Sequence, residues 1–147
     1  MTDLWRKRIR LMNYDYSSNN AYFLTICTEN RICCLRDRET LEPTHYADVV
    51  KTAIENIETI YPGVTVDKYV IMPNHIHLIL LLSGAEVDIS TIIRLMKRHV
   101  TTTIGKPIWQ KSFHDHIIRD EKEYLMIWEY IENNPVKWQI DRYYRTP

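Results

Sequence analysis

VTVDKYVIMPNHIHLILLLS, residues 64–83, holds two runs of apolar and β-branched residues that Pro73 and Asn74 separate. Short apolar runs bounded by turn residues are typical of β-strands. We therefore predict one strand over residues 64–72 and a second over residues 75–83. The second run is apolar on both faces after its histidines, as expected for a strand in the middle of a sheet.

The segments before and after this pair of strands complete an α+β pattern. Residues 22–35 are rich in aromatic and β-branched side chains and predict one strand or a hairpin. Between residues 46 and 61 the apolar side chains follow helical spacing, and the helix should stop at Pro62-Gly63. A second amphipathic helix follows Asp88 or Ser90, either of which can serve as its N-cap.

The C-terminal third adds a strand over residues 112–119 and a helix that opens at Glu121 and ends near Pro135. The predicted order is β-α-β-β-α-β-α. Its first six elements form the ferredoxin-like (RRM-like) βαββαβ arrangement, an antiparallel sheet with two helices on one face. The last helix is an addition to that α+β fold.

The length of 147 residues suits a single domain, which typically has about 100–200 residues. We divide it into a basic N-terminal arm (1–20), a ferredoxin-like core (21–120), the last helix (121–138) and a short tail (139–147). No signal peptide or membrane span is expected, because no apolar run is long enough. The odd number of cysteines, three, favours a reducing, cytoplasmic environment over a secreted disulfide framework.

The net charge is zero, but the charges are unevenly distributed along the chain. Residues 37–67 hold seven acidic and two basic side chains, whereas residues 88–119 hold six basic and two acidic ones. Such polarity suits a polyanion held on one side of the molecule, although ordinary solvated faces would give the same counts. The candidate DNA-binding residues are Arg6, Arg8, Arg10, Arg94, Lys97, Arg98, Lys106, Lys111 and Arg119. The candidates for stacking on unpaired bases are Trp5, Tyr14, Tyr16 and Trp109, with core packing equally open for Trp109.

Two histidines, His75 and His77, are the sharpest local feature. Residues i and i+2 of a strand point to the same face, so both imidazoles project together. They would form half of a metal site, while the alternative is a pair of hydrogen-bonded structural histidines. On their own, two imidazoles would favour zinc.

The last helix carries Tyr130 and Asn134 one turn apart, on a face beside the apolar stripe. That stripe consists of Tyr124, Ile127, Trp128 and Ile131. A tyrosine outside the stripe is less easily explained by packing. Asn134 offers a neutral amide oxygen, which suits a hard cation such as Mg²⁺ or Mn²⁺.

Three segments carry a resemblance to a known family. YVIMPNHIHLILLL (69–82), WQKSFHDHIIRD (109–120) and EYIENNPVKW (129–138) resemble the single-tyrosine HUH transposases, where U is a hydrophobic residue. The likeness is greatest to the REP-associated tyrosine transposases of the IS200-like superfamily. The opening NYDYSSNNAYFLTICTENR (13–31) is also similar to that group's first strand, so the resemblance covers nearly the whole chain.

The resemblance implies a metal-dependent endonuclease and strand transferase that acts on single-stranded, hairpin-bearing DNA. It makes Tyr130 the nucleophile, which forms a 5′-phosphotyrosine intermediate during DNA transposition and recombination. It makes His75, His77 and Asn134 the ligands of a divalent metal, Mg²⁺ or Mn²⁺. We expect a cytoplasmic, nucleoid-associated protein that is a monomer or a homodimer and needs neither a nucleotide cofactor nor a membrane. We expect no DNA contacts from a long C-terminal extension.

Two further residues and two rival functions remain open. His116, in a second HxH pattern, and Glu123, on the Tyr130 side of the last helix, are possible accessory residues. One rival is a metal-dependent nuclease in which water replaces Tyr130 as the nucleophile. The other is a non-catalytic nucleic-acid-binding module, which an RRM-like sheet makes plausible.

Overall fold

The protein is described by a computed structural model over residues 20–138. Its strands are β1 (Ala21–Cys27), β2 (Val64–Met72), β3 (His75–Leu82) and β4 (His114–Ile117). Its α-helices are α1 (His45–Glu55), α2 (Ile57–Ile60), α3 (Ile89–Ile104) and α4 (Glu121–Asn133), with a short 3-10 helix at Glu29–Arg31. None of the helices in this range is long and apolar enough to cross a membrane.

The four strands form one antiparallel sheet in the order β2-β3-β1-β4. This confirms the predicted ferredoxin-like arrangement, in which the second strand of the chain lies at one edge and the fourth at the other. Every residue of β3 is buried, because the strand is paired on both sides and covered on both faces.

The two faces of the sheet are covered by different helices. On one face, α1 and α3 bury a large core with inward residues of the strands such as Leu24, Ile76 and Leu78. On the other face, α4 packs a smaller cluster around Tyr124, Trp128 and Ile131. The histidines of β3 alternate with Ile76, so they lie on the α4 face.

Three predicted boundaries were wrong. The first strand ends at Cys27 rather than Leu35, because the chain turns through the 3-10 helix, where Asn30 and Arg31 adopt positive φ. The predicted helix over residues 46–61 is divided into α1 and α2 at Asn56. The last strand is limited to residues 114–117, the part that pairs with β1.

The two later helices begin at aspartates that cap them. The Asp88 side chain accepts a hydrogen bond from the Thr91 backbone N–H at 2.8 Å, so Asp88 is the N-cap of α3. Asp120 caps α4 in the same way through the Glu123 backbone N–H. Because the N-cap fixes where a helix starts, Asp88 and Asp120 set the N-terminal ends of α3 and α4.

Candidate active site

The two histidines of β3 are deeply buried and close to each other. The exposed fraction is 0% for His75 and 1% for His77, and their ring centroids lie 4.7 Å apart. His75 stacks against the indole of Trp138, with ring centroids 6.1 Å apart. His77 instead lines an open cleft, so one side of the pair faces space that a ligand can enter.

Each histidine is oriented through its Nδ1 atom by a neighbouring polar side chain. His75 Nδ1 is 2.8 Å from Asn74 Oδ1, and His77 Nδ1 is 2.9 Å from Thr25 Oγ1. Metal-binding histidines commonly use one ring nitrogen for such a contact and the other for the ion. In both rings, Nε2 is therefore the nitrogen suited to a metal.

Asn74 and Thr25 are parts of this site that were not among the predicted site residues. Asn74 lies in the turn between β2 and β3, where the sequence pattern indicates only a break between strands. Thr25 is opposite His77 in the pairing of β1 with β3. A signal existed for Asn74, which directly precedes the first histidine, but none for Thr25, because its contact depends on strand register.

Asn134 directly follows α4 and is 2% exposed. Its Nδ2 donates a hydrogen bond to the Tyr130 carbonyl oxygen at 2.8 Å, which fixes the amide orientation. Its Oδ1 is buried and accepts no hydrogen bond from residues 20–138. Since a buried acceptor without a donor is costly, this oxygen is a good candidate for a cation ligand.

Tyr130 extends from α4 towards His77. Its ring lies edge-on to the imidazole, with centroids 5.3 Å apart, and edge-on to Phe23 at 6.2 Å. The residue is 43% exposed. This agrees with the predicted position beside the apolar stripe, from which Tyr124 and Trp128 point into the core.

A cleft of about 870 Å³ lies between α4 and the sheet and joins most of these residues. Thr25, His77, Tyr130 and Asn134 all line it. His75 does not line the cleft, but its ring contacts that of His77. Within residues 20–138, no group of three or more His, Cys, Asp and Glu side chains is arranged to hold a metal.

The two possible accessory residues meet on the wall of the same cleft. His116 Nε2 lies 3.1 Å from Glu123 Oε1, and that oxygen also accepts the Arg119 backbone N–H at 2.9 Å. Glu123 is thus on the Tyr130 side of α4, as the helical spacing predicted. The pair joins β4 to the first turn of α4.

Most of the chain matches one protein family. The family model described as "Transposase IS200 like" matches residues 17–134. The chain belongs to the IS200-like transposase family. As an IS200-like transposase, it is an enzyme that cleaves and rejoins DNA.

The chain is similar to REP-associated tyrosine transposases, the group that the sequence resemblance indicated. The REP-associated tyrosine transposase of Escherichia coli K12 is 32% identical, over 83% of this chain and 70% of the relative. An uncharacterised protein of Haemophilus influenzae is 35% identical, over 95% of this chain and 93% of that protein. The solved structure of a REP-associated tyrosine transposase bound to a REP hairpin is 30% identical, with a TM-score of 0.68, and the match covers 81% of this chain and 68% of the other.

The basic residues predicted to bind DNA are dispersed over this transposase. Arg94, Lys97 and Arg98 lie on α3, on the sheet face opposite the cleft. The exposed side chains of Lys106, Lys111 and Arg119 follow in the segments around β4. Arg6, Arg8 and Arg10, like Trp5, Tyr14 and Tyr16, lie outside the described residues.

Two of the residues predicted to contact DNA make structural contacts in this fold. Lys97 Nζ donates to the backbone carbonyl oxygens of Gln110 and Ser112, at 2.8 and 3.2 Å, and burial lowers the pKa of this lysine. Lys97 therefore holds the loop that leads into β4. Trp109 is buried in the main core, so core packing accounts for it. The cleft has two lysines of its own, Lys122 and Lys137, which the sequence analysis did not select.

Proposed function

We propose that this transposase cleaves and rejoins single-stranded, hairpin-bearing DNA through a covalent phosphotyrosine bond to Tyr130. The observation that carries this proposal is the position of Tyr130. Its ring faces His77 across the cleft, and Asn134 lies one helical turn further along. A tyrosine packed for stability alone would lie with Tyr124 in the core rather than in an open cleft.

The donor set of the site fits a divalent cation. It offers two buried imidazoles, each oriented through Nδ1, and the buried Oδ1 of Asn134. Two imidazoles on their own would favour zinc. The added amide oxygen shifts the preference towards a hard cation such as Mg²⁺ or Mn²⁺. A bound ion would polarise the scissile phosphate and offset the negative charge that develops on it.

In the first step, the Tyr130 hydroxyl attacks the phosphorus in line with the bond to the 3′ oxygen. The bond between Tyr130 Oη and phosphorus forms as the P–O3′ bond breaks. The tyrosine loses its proton and the leaving 3′ oxygen gains one, so no net proton is consumed. The products are a free 3′-OH and a 5′-phosphotyrosine.

In the second step, the 3′-OH of another DNA end attacks the phosphotyrosine and releases Tyr130. One phosphodiester bond replaces another of similar energy, so the exchange needs no ATP. His77 and Asn134 line the same cleft in both steps, so the same residues would hold the cation for both. The proposed reaction therefore needs no nucleotide cofactor.

The hairpin part of the proposal is supported by a relative. A structure 30% identical to this chain, with a TM-score of 0.68, is of a REP-associated tyrosine transposase bound to a REP hairpin. The open sheet half beside Phe23 also suits unpaired bases, since aromatic side chains on RRM-like sheets stack them. Single-stranded DNA with a hairpin is therefore the substrate class that we propose.

The test is the formation of a protein–DNA adduct that survives SDS. Wild-type protein incubated with Mn²⁺ and labelled hairpin DNA should give such an adduct, and a chelator should abolish it. Tyr130→Phe should give none, because phenylalanine cannot form the ester, while its exposed position should leave folding and DNA binding intact. Tyr69→Phe is the matched control, since the Tyr69 hydroxyl bonds Glu55 at 2.9 Å, on the other side of the sheet from the cleft.

Two results would replace the proposal with one of its rivals. Cleavage by Tyr130→Phe at a rate comparable to that of the wild type would make water the nucleophile. Metal-independent hairpin binding without any cleavage or adduct would indicate a non-catalytic binding module.

A further inference from the structure

Helix α4 covers only half of the sheet face on which the histidines lie. It is tied to edge strand β2 by the hydrogen bond from Tyr124 to Asp67 and by the ion pair of Lys68 with Glu132. The half formed by β1 and β4 is left beside the cleft, where Phe23 and His116 line its floor and wall. Neither Phe23 nor His116 has a role in the proposed cleavage chemistry.

The helical wall of this region carries an exposed apolar side chain. Met126 is 65% exposed and lines the cleft with Ile127 and Phe23. A flat aromatic ring and a flexible thioether chain on one cleft suit the π-face of a planar ligand. A nucleobase has that shape, and a nucleophilic Tyr130 would bring one beside it.

Glu123 supplies a polar edge to the same cleft. Both contacts of its carboxylate that the structure gives within residues 20–138, the hydrogen bond from the Arg119 backbone N–H and the 3.1 Å contact with His116 Nε2, are made by Oε1. The second carboxylate oxygen, Oε2, makes none of these contacts. A carboxylate only accepts hydrogen bonds. On the major-groove edge of a base, Oε2 therefore matches the exocyclic amino group of cytosine or adenine and not the carbonyl oxygen of guanine or thymine.

We propose that this cleft selects the nucleobase next to the scissile phosphate. The base stacks on Phe23 against Met126, and Glu123 accepts a hydrogen bond from its amino group. The Phe23 ring centroid is 5.2 Å from that of His77 and 6.2 Å from that of Tyr130, which makes the bound base an immediate neighbour of the reacting phosphate. This specificity site rests on the proposed function of Tyr130.

The experiment uses a pool of hairpin oligonucleotides in which the single-stranded nucleotides beside the hairpin are randomised. Wild-type protein with Mn²⁺ is allowed to form the adduct, and the cleaved products are sequenced. Cytosine or adenine should be enriched by about tenfold at one position flanking the cleaved bond, the order of one hydrogen bond to a charged group. Glu129→Gln, on the same helix but outside the cleft, is the matched control and should keep this preference.

Glu123→Gln should reverse the preference. The amide oxygen of glutamine would take the place of Oε1 and accept the Arg119 backbone N–H, which leaves an NH₂ group to face the cleft. That group donates, so thymine or guanine should be favoured over cytosine and adenine. Met126→Ala should lower the yield for every base by about five- to tenfold without changing the preference, because stacking does not depend on sequence.

An unchanged base preference in Glu123→Gln, or none in the wild type, would overturn the specificity site while adduct formation still supports Tyr130 as the nucleophile. If the wild type gives no adduct, the proposed chemistry fails instead. In that case, oligonucleotides from the same pool are selected by binding to the wild-type protein and sequenced. Enrichment of cytosine or adenine by the wild type, reversed with Glu123→Gln, would still support the base site. Its absence there would overturn it.

Discussion

Thr25 orients His77, although it lies on a different strand from His75 and His77. Its hydroxyl lies 2.9 Å from His77 Nδ1 and fixes the ring that faces Tyr130. Partners of this kind typically change metal affinity by about 10- to 100-fold when they are removed. Thr25→Val, which keeps the shape of the side chain, should therefore weaken Mn²⁺ binding by about tenfold or more, as measured by calorimetry.

The matched control is Thr65→Val, a threonine of β2 away from the cleft, which should leave Mn²⁺ affinity unchanged. Equal affinities in both variants and the wild type would mean that His77 is not a metal ligand or does not depend on Thr25. A thermal melt of each variant separates loss of metal binding from loss of folding.

Among the site residues, the sequence could predict those that the periodic spacing of a strand or a helix places on one face. His75 and His77 share a strand face, and Tyr130 and Asn134 share a helix face, so spacing alone associates each pair. Thr25 lies 52 residues from its partner in sequence, and only the register of β1 on β3 joins them. No local pattern carries that information.

Among the elements, α4 depends on a β-bulge for its position. The register of β2 on β3 shifts between Val66 and Lys68, and Asp67, the residue between them, accepts a hydrogen bond from the Tyr124 hydroxyl in the interior. Lys68 then bonds Glu132 and lies 3.8 Å from the centre of the Trp128 ring. These contacts hold the helix that carries Tyr130 against one edge of the sheet.

Tyr124→Phe should lower the free energy of unfolding by about 1–3 kcal/mol, because a buried acceptor loses a donor. Chemical denaturation measures this change. Tyr69→Phe is the control, since it removes a hydroxyl from the sheet surface and should cost about 1 kcal/mol or less. Tyr124→Phe should still form the DNA adduct below its melting temperature, and equal stability of the two variants would contradict the anchoring role of Asp67.

Element types were easier to predict than element ends. The strands on either side of Pro73-Asn74 follow directly from the apolar runs. Cap chemistry offered Asp88 or Ser90 as the start of α3, and Asp88 is the N-cap. The division between α1 and α2 at Asn56 was not predictable from hydrophobic spacing, because Ile57 and Ile60 continue the apolar pattern across it. The early end of β1 likewise depends on the turn at Asn30 and not on composition.

Across the whole molecule, the sheet separates two kinds of surface. The α1–α3 layer buries the main core, while the α4 side holds the histidines and the cleft. Charge counts along the sequence favoured the segment around α3 as the DNA-binding region. Counts of this kind carry no information on which face of the sheet a charge lies, so they could not choose between α3 and the cleft.

If DNA is bound at the cleft, its phosphates should be neutralised by Lys122 and Lys137, which line it. Replacing both with alanine should weaken binding of all hairpin sequences alike. It should also lower the slope of log K against log salt by about 0.7 unit for each phosphate of single-stranded DNA that the protein no longer neutralises. Arg94→Ala with Arg98→Ala is the matched pair on the opposite layer and should leave the slope unchanged, with Lys97 kept because it holds the loop before β4. The reverse result, a smaller slope only in the α3 pair, would move the DNA backbone to the α3 layer and leave the cleft with the reacting strand end alone.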